Sequence, residues 1–250
     1  MRTRYIGQQL IEFPSVSSTN KVAAEQLALS KLQHGAVVLA HEQTAGRGQH
    51  GRSWSSAKDL DLTFSIALLP KRMKVAEQFV LVSLSALAVH EVVHALQPAD
   101  VRIKWPNDLL VGRRKIAGIL IKTEVIGQLV QSAIVGIGLN VNNNVLDVDM
   151  NATSLKLVTG ISHDRHELLD RICEALERRL TRWEDDEEDG IAELSALLWS
   201  RGAWADLLLD GKLVKGRPLD VERSGKLIFE LETGDVMALG TERVCFAGRQ

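Results

Sequence analysis

The feature that most constrains the fold is a series of β-prone segments between residues 101 and 141, separated by very short turns. The four segments are Val101–Trp105, Leu109–Val111, Ile116–Ile126 and Leu129–Val141. The last three are joined by the turns Gly112-Arg113 and Gly127-Gln128. Strands joined by so few residues pair in the antiparallel sense, because a parallel pair needs a crossover of about a dozen residues or more. The series therefore predicts an α+β fold rather than a doubly wound parallel sheet.

Other strands and several helices surround this series. Further strands are predicted at Leu10–Phe13, Ala36–Ala40 and Leu60–Leu69. Helical spacing of apolar residues predicts helices after the hydroxyl-rich segment 15–20 and over Ala76–Leu96, Asp164–Glu184 and Ile191–Ser200. Asp164 and Glu167 are placed like a capping box. The acidic run Glu184–Asp189 predicts a solvated linker, because like charges repel one another and stay hydrated.

The pattern changes from Gly202 onward, where short β-like runs alternate with turn dipeptides. The runs are Leu213–Val214, Leu219–Val221, Lys226–Leu231, Val236–Ala238 and Val244–Phe246, and the turns are Asp210-Gly211, Ser224-Gly225 and Gly234-Asp235. This spacing predicts a small barrel of about fifty residues. We therefore expect a main domain over residues 1–200 and a β-barrel domain over residues 202–250.

Composition places the chain among ordinary globular proteins. Its net charge of −2 and its hydrophobic fraction of 45% give no global attraction to nucleic acid or to an anionic membrane. The apolar stretch Phe79–Leu96 contains His90, Glu91 and His94 and favours a buried helix over a membrane span. Cys173 and Cys245 are far apart in sequence, and each is expected to be a buried thiol. Segment Tyr5–Glu12 is too polar for a signal-peptide core, which favours the cytoplasm.

Two short motifs suggest functions that the surrounding residues do not support. Residues Gly46–Gly51 match GxGxxG, but a dinucleotide-binding motif opens into a helix, and Arg52–Lys58 has no helical apolar spacing. His90–His94 matches HExxH, the pattern of a zinc hydrolase. We expect these polar side chains to form the solvent stripe of a helix whose other face is Leu81, Leu84, Ala88 and Val92. The zinc hydrolase stays as a remote alternative, with Glu124 as a conceivable third ligand.

Three segments carry more functional residues than a structural role requires. The first, Glu42–Trp54, has three glycines, which let backbone N–H groups point at an anion, and two arginines with forked donors. The second has Lys104 and Lys115 on either side of the turn Pro106-Asn107-Asp108, which alone could be an Asx-turn. The third, Gly136–Asn142, is an apolar strand that ends in amides. Together they predict a binding site for an anionic substrate.

Taken together, these motifs resemble biotin protein ligase. The resemblance rests on Gly-Arg-Gly-x-x-Gly-Arg-x-Trp, Lys-Trp-Pro-Asn-Asp-Leu followed by Arg-Lys-x-x-Gly-Ile-Leu, and Gly-x-Gly-x-Asn, in this order and with Ser18-Thr19-Asn20 upstream. It spans roughly residues 10–145. It implies a mixed sheet with helices, related to class II aminoacyl-tRNA synthetases, followed by an SH3-like barrel.

The resemblance also implies a two-step reaction. Biotin would react with MgATP to give biotinyl-5′-AMP, and a lysine of the biotin carboxyl carrier protein of acetyl-CoA carboxylase would then take the biotin. A lipoate or octanoate ligase or transferase of the same fold is the nearest alternative. Only seventeen residues precede Ser18, too few for a helix-turn-helix, so no DNA binding is expected. The protein would be a monomer or a homodimer.

Site residues carry over from the family position by position. Lys115 and Arg47 would be catalytic. The expected biotin-binding residues are Ser18, Thr19, Asn20, Gln43, Arg47, Gly48, Gln49, Lys115 and Gly118. The expected ATP-binding residues are Arg47, Arg52, Trp54, Lys104, Asn107 and Asn140, and no protein cage for Mg²⁺ is expected.

Two positions depart from the family pattern. Gln49 stands where the family usually has arginine, so one positive charge beside the adenylate is missing. We expect the intermediate to escape more readily, unless His50 or Arg52 compensates. Ser17 stands where an acidic residue is common.

Overall fold

The structure of the protein is a computed structural model that describes residues 3–96, 100–144, 151–185 and 188–247. A seven-stranded sheet forms its main body. Its strands are β1 Leu10–Phe13, β2 Ala36–Ala40, β3 Leu62–Leu68, β4 Val101–Lys104, β5 Asp108–Val111, β6 Arg114–Ile126 and β7 Leu129–Leu139. They lie in the order β1-β2-β3-β7-β6-β5-β4; β1 and β2 are parallel and the other neighbours are antiparallel. The predicted α+β class is confirmed.

The helices cover both faces of this sheet. They are α1 Thr19–Ala28, α2 Phe79–Leu96, α3 Leu155–Thr159, α4 Arg165–Glu184 and α5 Ile191–Ala196. Alternating side chains of β2 join two cores: Ala36 and Val38 pack with α1, whereas Val37 and Leu39 join the larger cluster with α2 and α4. The Asp164 carboxylate accepts hydrogen bonds from the His166 and Glu167 N–H groups, which confirms the Asp164 half of the predicted capping box.

Helix α2 is the centre of the larger core. Of the described residues, Val75–Leu96 alone is long and apolar enough to suit a membrane span, and 67% of its apolar window is buried inside the fold. The predicted buried helix is confirmed, although its first turn, Val75–Glu77, is 3-10 rather than α. Part of the predicted acidic linker Glu184–Asp189 lies outside the described residues.

The N-terminal segment is attached to α4 by one carboxylate. The buried side chain of Glu177 accepts hydrogen bonds from the backbone N–H groups of Arg4, Tyr5 and Ile6 at 2.6, 2.9 and 2.8 Å. Ile6 is fully buried beside it. Three donors offset the cost of placing a charge inside the protein, so this segment is part of the fold.

A second, five-stranded antiparallel sheet follows. Its strands are β8 Ala205–Leu209, β9 Lys212–Val221, β10 Leu227–Leu231, β11 Val236–Leu239 and β12 Val244–Phe246, in the order β11-β10-β9-β8-β12. Two expectations were wrong in detail. Strand β8 was not predicted, and the two runs predicted between Leu213 and Val221 form the single strand β9. Pro218 lies in β9 beside a bulge at Leu219, where two neighbouring residues of β10 pair with Asp220 and Pro218, and this bulge breaks the alternation on which the prediction depended.

The second sheet packs against the main body near β4. The Trp105 indole donates a hydrogen bond to the Gly225 carbonyl at 2.9 Å, and the Ser195 hydroxyl accepts one from the Val221 N–H at 3.1 Å. Helix α5 is shorter than predicted, because the chain after Ala196 runs beside the edge strand β4, with Leu198 bridged to Ile103. These contacts bring β12 next to the face of the main sheet.

Candidate active site

One cavity collects almost every predicted site residue. It has a volume of about 660 Å³, within the usual range for small-molecule sites, and lies on the α1 side of the main sheet. The predicted residues that line it are Ser18, Thr19, Asn20, Gln43, Arg47, Gly48, Gln49, Arg52, Trp54, Asn107, Lys115, Gly118 and Asn140. Lys104 is the predicted residue that does not line it. Thr241 and Cys245 of the second sheet form part of its wall.

Small residues on one face of β7 leave the space for this cavity. Val135, Ile137 and Leu139 belong to the main core, whereas the residues between them are glycines. A Cβ atom at Gly136 would lie 2.2 Å from the Asn20 Oδ1, and one at Gly138 would lie 2.3 Å from the Trp54 ring. Any side chain at either position would displace a residue that lines the cavity. The Gly-x-Gly pattern is therefore required because Asn20 and Trp54 approach the β7 backbone so closely.

We call the first part of the cavity the amide end; it consists of Thr19, Asn20, Gln43 and Ser65. The Gln43 Oε1 accepts a bond from the Thr19 N–H at 2.8 Å, and the Asn20 amide donates to the Leu120 carbonyl at 2.9 Å. The Ser65 hydroxyl lies 2.6 Å from the Asn20 Oδ1 and 2.7 Å from the Thr19 hydroxyl. The network fixes these side chains before any ligand binds.

We call the opposite part the cation end; it consists of Arg47, Arg52 and Lys115. The two arginines lie on the loop Glu42–Trp54, which folds back on itself: Gly48 N donates to the Arg52 carbonyl at 2.7 Å, and Trp54 N to the Gly46 carbonyl at 3.0 Å. The loop contains a 3-10 turn at Gln49–Gly51 and does not continue into a helix. The rejection of the dinucleotide motif is confirmed, and both guanidinium groups belong to exposed residues at the cavity mouth.

Lys115, in the wall of the cavity, is held in place by several contacts. Its Nζ lies 2.7 Å from the Asp108 Oδ1 and 5.5 Å from the centre of the Trp54 ring. Asp108 is only 4% exposed, so its charge depends on this partner. The backbone of Lys115 is also fixed, because its N–H donates to Asn151 and its carbonyl accepts from Thr153. This arrangement presents one oriented ammonium group to a substrate.

Two amides lie close to this lysine. The Asn107 Nδ2 donates to the Ile119 carbonyl at 2.6 Å, and the Asn140 Nδ2 donates to the Thr153 carbonyl at 3.0 Å. In each case the amide group is oriented by backbone, which leaves its oxygen as an acceptor that the cavity can use.

Lys104 is placed differently from the other predicted residues. Its Nζ lies 5.7 Å from the centre of the Trp199 ring and 5.5 Å from that of Phe246. Burial lowers the pKa of its ammonium group below the ordinary value. The side chain thus sits between the main sheet and the second sheet, next to the cavity wall.

The His90–His94 motif is engaged in structural contacts. His90 was expected to face solvent, but it is 8% exposed and its Nε2 lies 3.2 Å from the Val101 carbonyl, because α2 is buried on most sides. The Glu91 carboxylate pairs with Arg178 and Arg179 at 2.5 and 3.1 Å. Within the described ranges no group of three His, Cys, Asp or Glu residues could hold a metal ion.

Sequence reasoning missed several residues at the cavity. Asp108 had been interpreted as part of an Asx-turn, although its position between two lysines was a signal for an ion pair. Ser65 gave no signal, because a serine in a strand is ordinary. Cys245 was expected to be a buried thiol, but it is half-buried and lines the cavity. Cys173 is buried as predicted, and burial raises the pKa of its thiol.

The chain is similar to several known proteins. A model of the biotin/lipoate A/B protein ligase family matches residues 12–140. The bifunctional ligase/repressor BirA of Bacillus spizizenii is 32% identical over 244 residues, which cover 94% of this chain and 73% of that protein. The biotin--[acetyl-CoA-carboxylase] ligase of Mycobacterium tuberculosis is 31% identical over 96% of this chain and 94% of its own length. Among solved structures, the biotin protein ligase from Aquifex aeolicus in complex with biotin and ATP superimposes with a TM-score of 0.81, at 25% identity over 96% of this chain and 99% of that one.

Proposed function

Since the chain belongs to the biotin/lipoate A/B protein ligase family, we propose that its cavity is where biotin and ATP meet. The protein is an ATP-dependent biotin ligase that makes biotinyl-5′-AMP and transfers biotin to a lysine of the biotin carboxyl carrier protein. In the first step the biotin carboxylate attacks the α-phosphate and pyrophosphate leaves. In the second step the acceptor amine attacks the mixed anhydride and AMP leaves.

The position of Lys115 is the observation that carries the assignment of roles. It lines the same cavity as the amide end and the two loop arginines, and its ammonium is held by Asp108 at 2.7 Å. An oriented cation there stabilises the charge that builds up as a carboxylate approaches a phosphate. We assign catalysis to Lys115 and Arg47 on this basis.

The amide end fits the neutral, hydrogen-bonding part of biotin. A ureido group both donates and accepts hydrogen bonds, and Thr19, Asn20 and Gln43 offer hydroxyl and amide groups of both kinds. We also assign Gly118 to biotin binding, because a Cβ there would lie 3.1 Å from the Trp54 ring and narrow the cavity. Ser18, Gly48 and Gln49 complete the proposed biotin-binding set.

The cation end fits the adenylate and the leaving pyrophosphate. We assign Arg47, Arg52, Trp54, Lys104, Asn107 and Asn140 to ATP, with the indole of Trp54 beside the base. Mg²⁺ enters with ATP as part of the substrate and keeps most of its own water ligands. The exposed loop between Glu42 and Trp54 can then close over the adenylate and exclude water.

Several further assignments belong to this proposal. Residues 1–200 form the catalytic domain and residues 202–250 the small β-domain. The protein works in the cytoplasm without nucleic acid or membrane, as a monomer or homodimer, in line with its net charge of −2. A zinc hydrolase is disfavoured because Glu91 is held by two arginines.

Pyrophosphate release separates biotin ligation from lipoate ligation. The protein is incubated with MgATP and biotin, lipoate or octanoate, and pyrophosphate is measured with and without a biotin carboxyl carrier domain. We expect release with biotin, and mass spectrometry should find one biotinylated lysine on the carrier. Release with lipoate or octanoate alone would contradict the assignment.

A further inference from the structure

Lys104 is a largely buried cation that has aromatic neighbours in place of an anionic partner. In the part of the chain that the structure describes, its ammonium forms no hydrogen bond or ion pair and lies 5.7 and 5.5 Å from the centres of the Trp199 and Phe246 rings. The nearby carboxylate, Asp108, is already paired with Lys115 at 2.7 Å. A buried ammonium without a carboxylate is costly, so its charge remains available to an incoming anion.

The two rings are held in position by separate parts of the fold. The backbone of Trp199 is fixed against β4, since its main-chain N–H donates to the Ile103 carbonyl at 2.8 Å. Phe246 lies on β12 of the second sheet, is 3% exposed, and pairs with Leu207 of β8. The rings meet edge to face, with centroids 5.2 Å apart. This packing fixes the pair before a ligand arrives.

A pair of aromatic rings can hold a cation in position for binding to a polyanion. The ring faces attract an ammonium group but do not neutralise its charge, and they exclude water from it. A carboxylate at the same position would compete with the ligand for the charge. The rings also restrict the rotamers of a long side chain, which reduces the entropy lost when the anion binds.

We propose that Trp199 and Phe246 are positioning residues that hold the Lys104 ammonium next to the cavity wall, where it can reach the triphosphate of ATP. The inference rests on the proposed function. It links the second sheet to the binding of ATP, because Phe246 reaches Lys104 only when that sheet is packed against β4. Removal of a ring should weaken ATP binding and leave biotin binding intact.

The test compares two phenylalanines of the second sheet. Phe246→Leu removes a ring that faces Lys104, whereas Phe229→Leu alters the fully buried core of the same sheet. We expect Phe246→Leu to raise the KM for ATP, and the Kd for a non-hydrolysable ATP analogue measured by calorimetry, about tenfold. The KM for biotin and kcat should change less than about twofold, and Phe246→Tyr should restore ATP binding.

Repeating the substitution in a protein that lacks the Lys104 ammonium shows whether Phe246 acts on ATP binding through Lys104. In a Lys104→Met protein, Phe246→Leu should cause no further loss of analogue binding. If Phe246→Leu does not fold, Trp199→Phe, which keeps a smaller ring, should raise the Kd about threefold. An effect no larger than that of Phe229→Leu, or one that persists in Lys104→Met, would overturn the proposal. If the proposed function itself is wrong, the unmodified protein will release no pyrophosphate with biotin. That result is distinct from failure of the Lys104 proposal, in which the unmodified protein stays active.

Discussion

The two ends of the cavity are built in opposite ways. At the amide end, Thr19, Asn20 and Gln43 already satisfy one another or the backbone through bonds of 2.6–3.1 Å. At the cation end, Arg47 and Arg52 lie on an exposed loop, and Lys115 is oriented by one carboxylate. One end is rigid before the ligand arrives, and the other has charge that the ligand must organise.

This difference matches the chemistry that each end has to perform. A small neutral group is recognised best by fixed donors and acceptors, because fixed groups lose little entropy on binding. A reactive phosphoanhydride must be enclosed after it enters, which requires a segment able to move. Three changes in the cavity would break or sharpen this comparison, and a fourth tests the fold outside it.

The largest effect is expected at Lys115. Lys115→Ala should lower the rate of pyrophosphate release by about 10²–10³-fold, because the cation that stabilises the developing charge is lost. The double variant Lys115→Ala/Asp108→Asn removes the carboxylate that the single change leaves unpaired, so it should recover thermal stability but not activity. Arg114→Ala, an exposed neighbour, is the matched control. Near-normal release by Lys115→Ala would remove this residue from catalysis.

The amide end should be sensitive to one hydroxyl. Ser65→Ala leaves Asn20 and Thr19 without a shared partner and should raise the KM for biotin about tenfold, with the KM for ATP unchanged. Ser85→Ala is the control, since the described residues give that buried hydroxyl no hydrogen-bond partner. Equal effects of the two substitutions would show that the network does not organise biotin.

An added positive charge at the cation end should slow the loss of biotinyl-5′-AMP from the site. Gln49→Arg places a guanidinium at the cavity wall and should slow the escape of biotinyl-5′-AMP about fivefold, corresponding to about 1 kcal/mol. The measurement is biotin labelling of an unrelated protein added in excess. Gln49→Met, of similar length and uncharged, should not reduce the labelling. Unchanged labelling by the arginine variant would mean that the existing cations already suffice.

The smallest effect concerns pH and lies outside both ends. Burial lowers the pKa of the His90 imidazole below 6.5, so the unfolded chain binds this proton more tightly than the folded one. The stability of the protein is therefore reduced as the pH falls below 6.5. His90→Gln should make denaturant unfolding less pH-dependent between pH 7 and pH 5. Parallel profiles for variant and parent would contradict this account.

Local patterns predicted most of the sheet and of the cavity. The two-residue turns around β6 required antiparallel pairing, and the motifs from Gly46 to Asn140 meet in one cavity, as expected for residues at the ends and loops of adjacent strands. Contacts between distant segments were not predictable in this way. Asp108 pairs with Lys115 because β5 and β6 are neighbours, and Ser65 of β3 reaches Asn20 because α1 packs on the face of the sheet.

The second sheet was harder to predict. Pro218 and the bulge beside it hid the length of β9, and β8 depends on pairing with both β9 and β12. Lys104 was assigned from its motif, but its neighbours Trp199 and Phe246 follow it by about a hundred residues or more. When the partners of a residue lie far along the chain, the sequence around that residue does not predict them.

The carboxylate of Glu177 has a practical consequence for trimming or tagging the protein. Its three donors are the backbone N–H groups of Arg4, Tyr5 and Ile6. A version shortened to start at Gly7 would keep the acid inside the fold and lose all of its donors, whereas substitutions of the Arg4 side chain would keep them. Cleavage sites for affinity tags therefore belong ahead of residue 4, and a tag removed beyond that point would take part of the core with it.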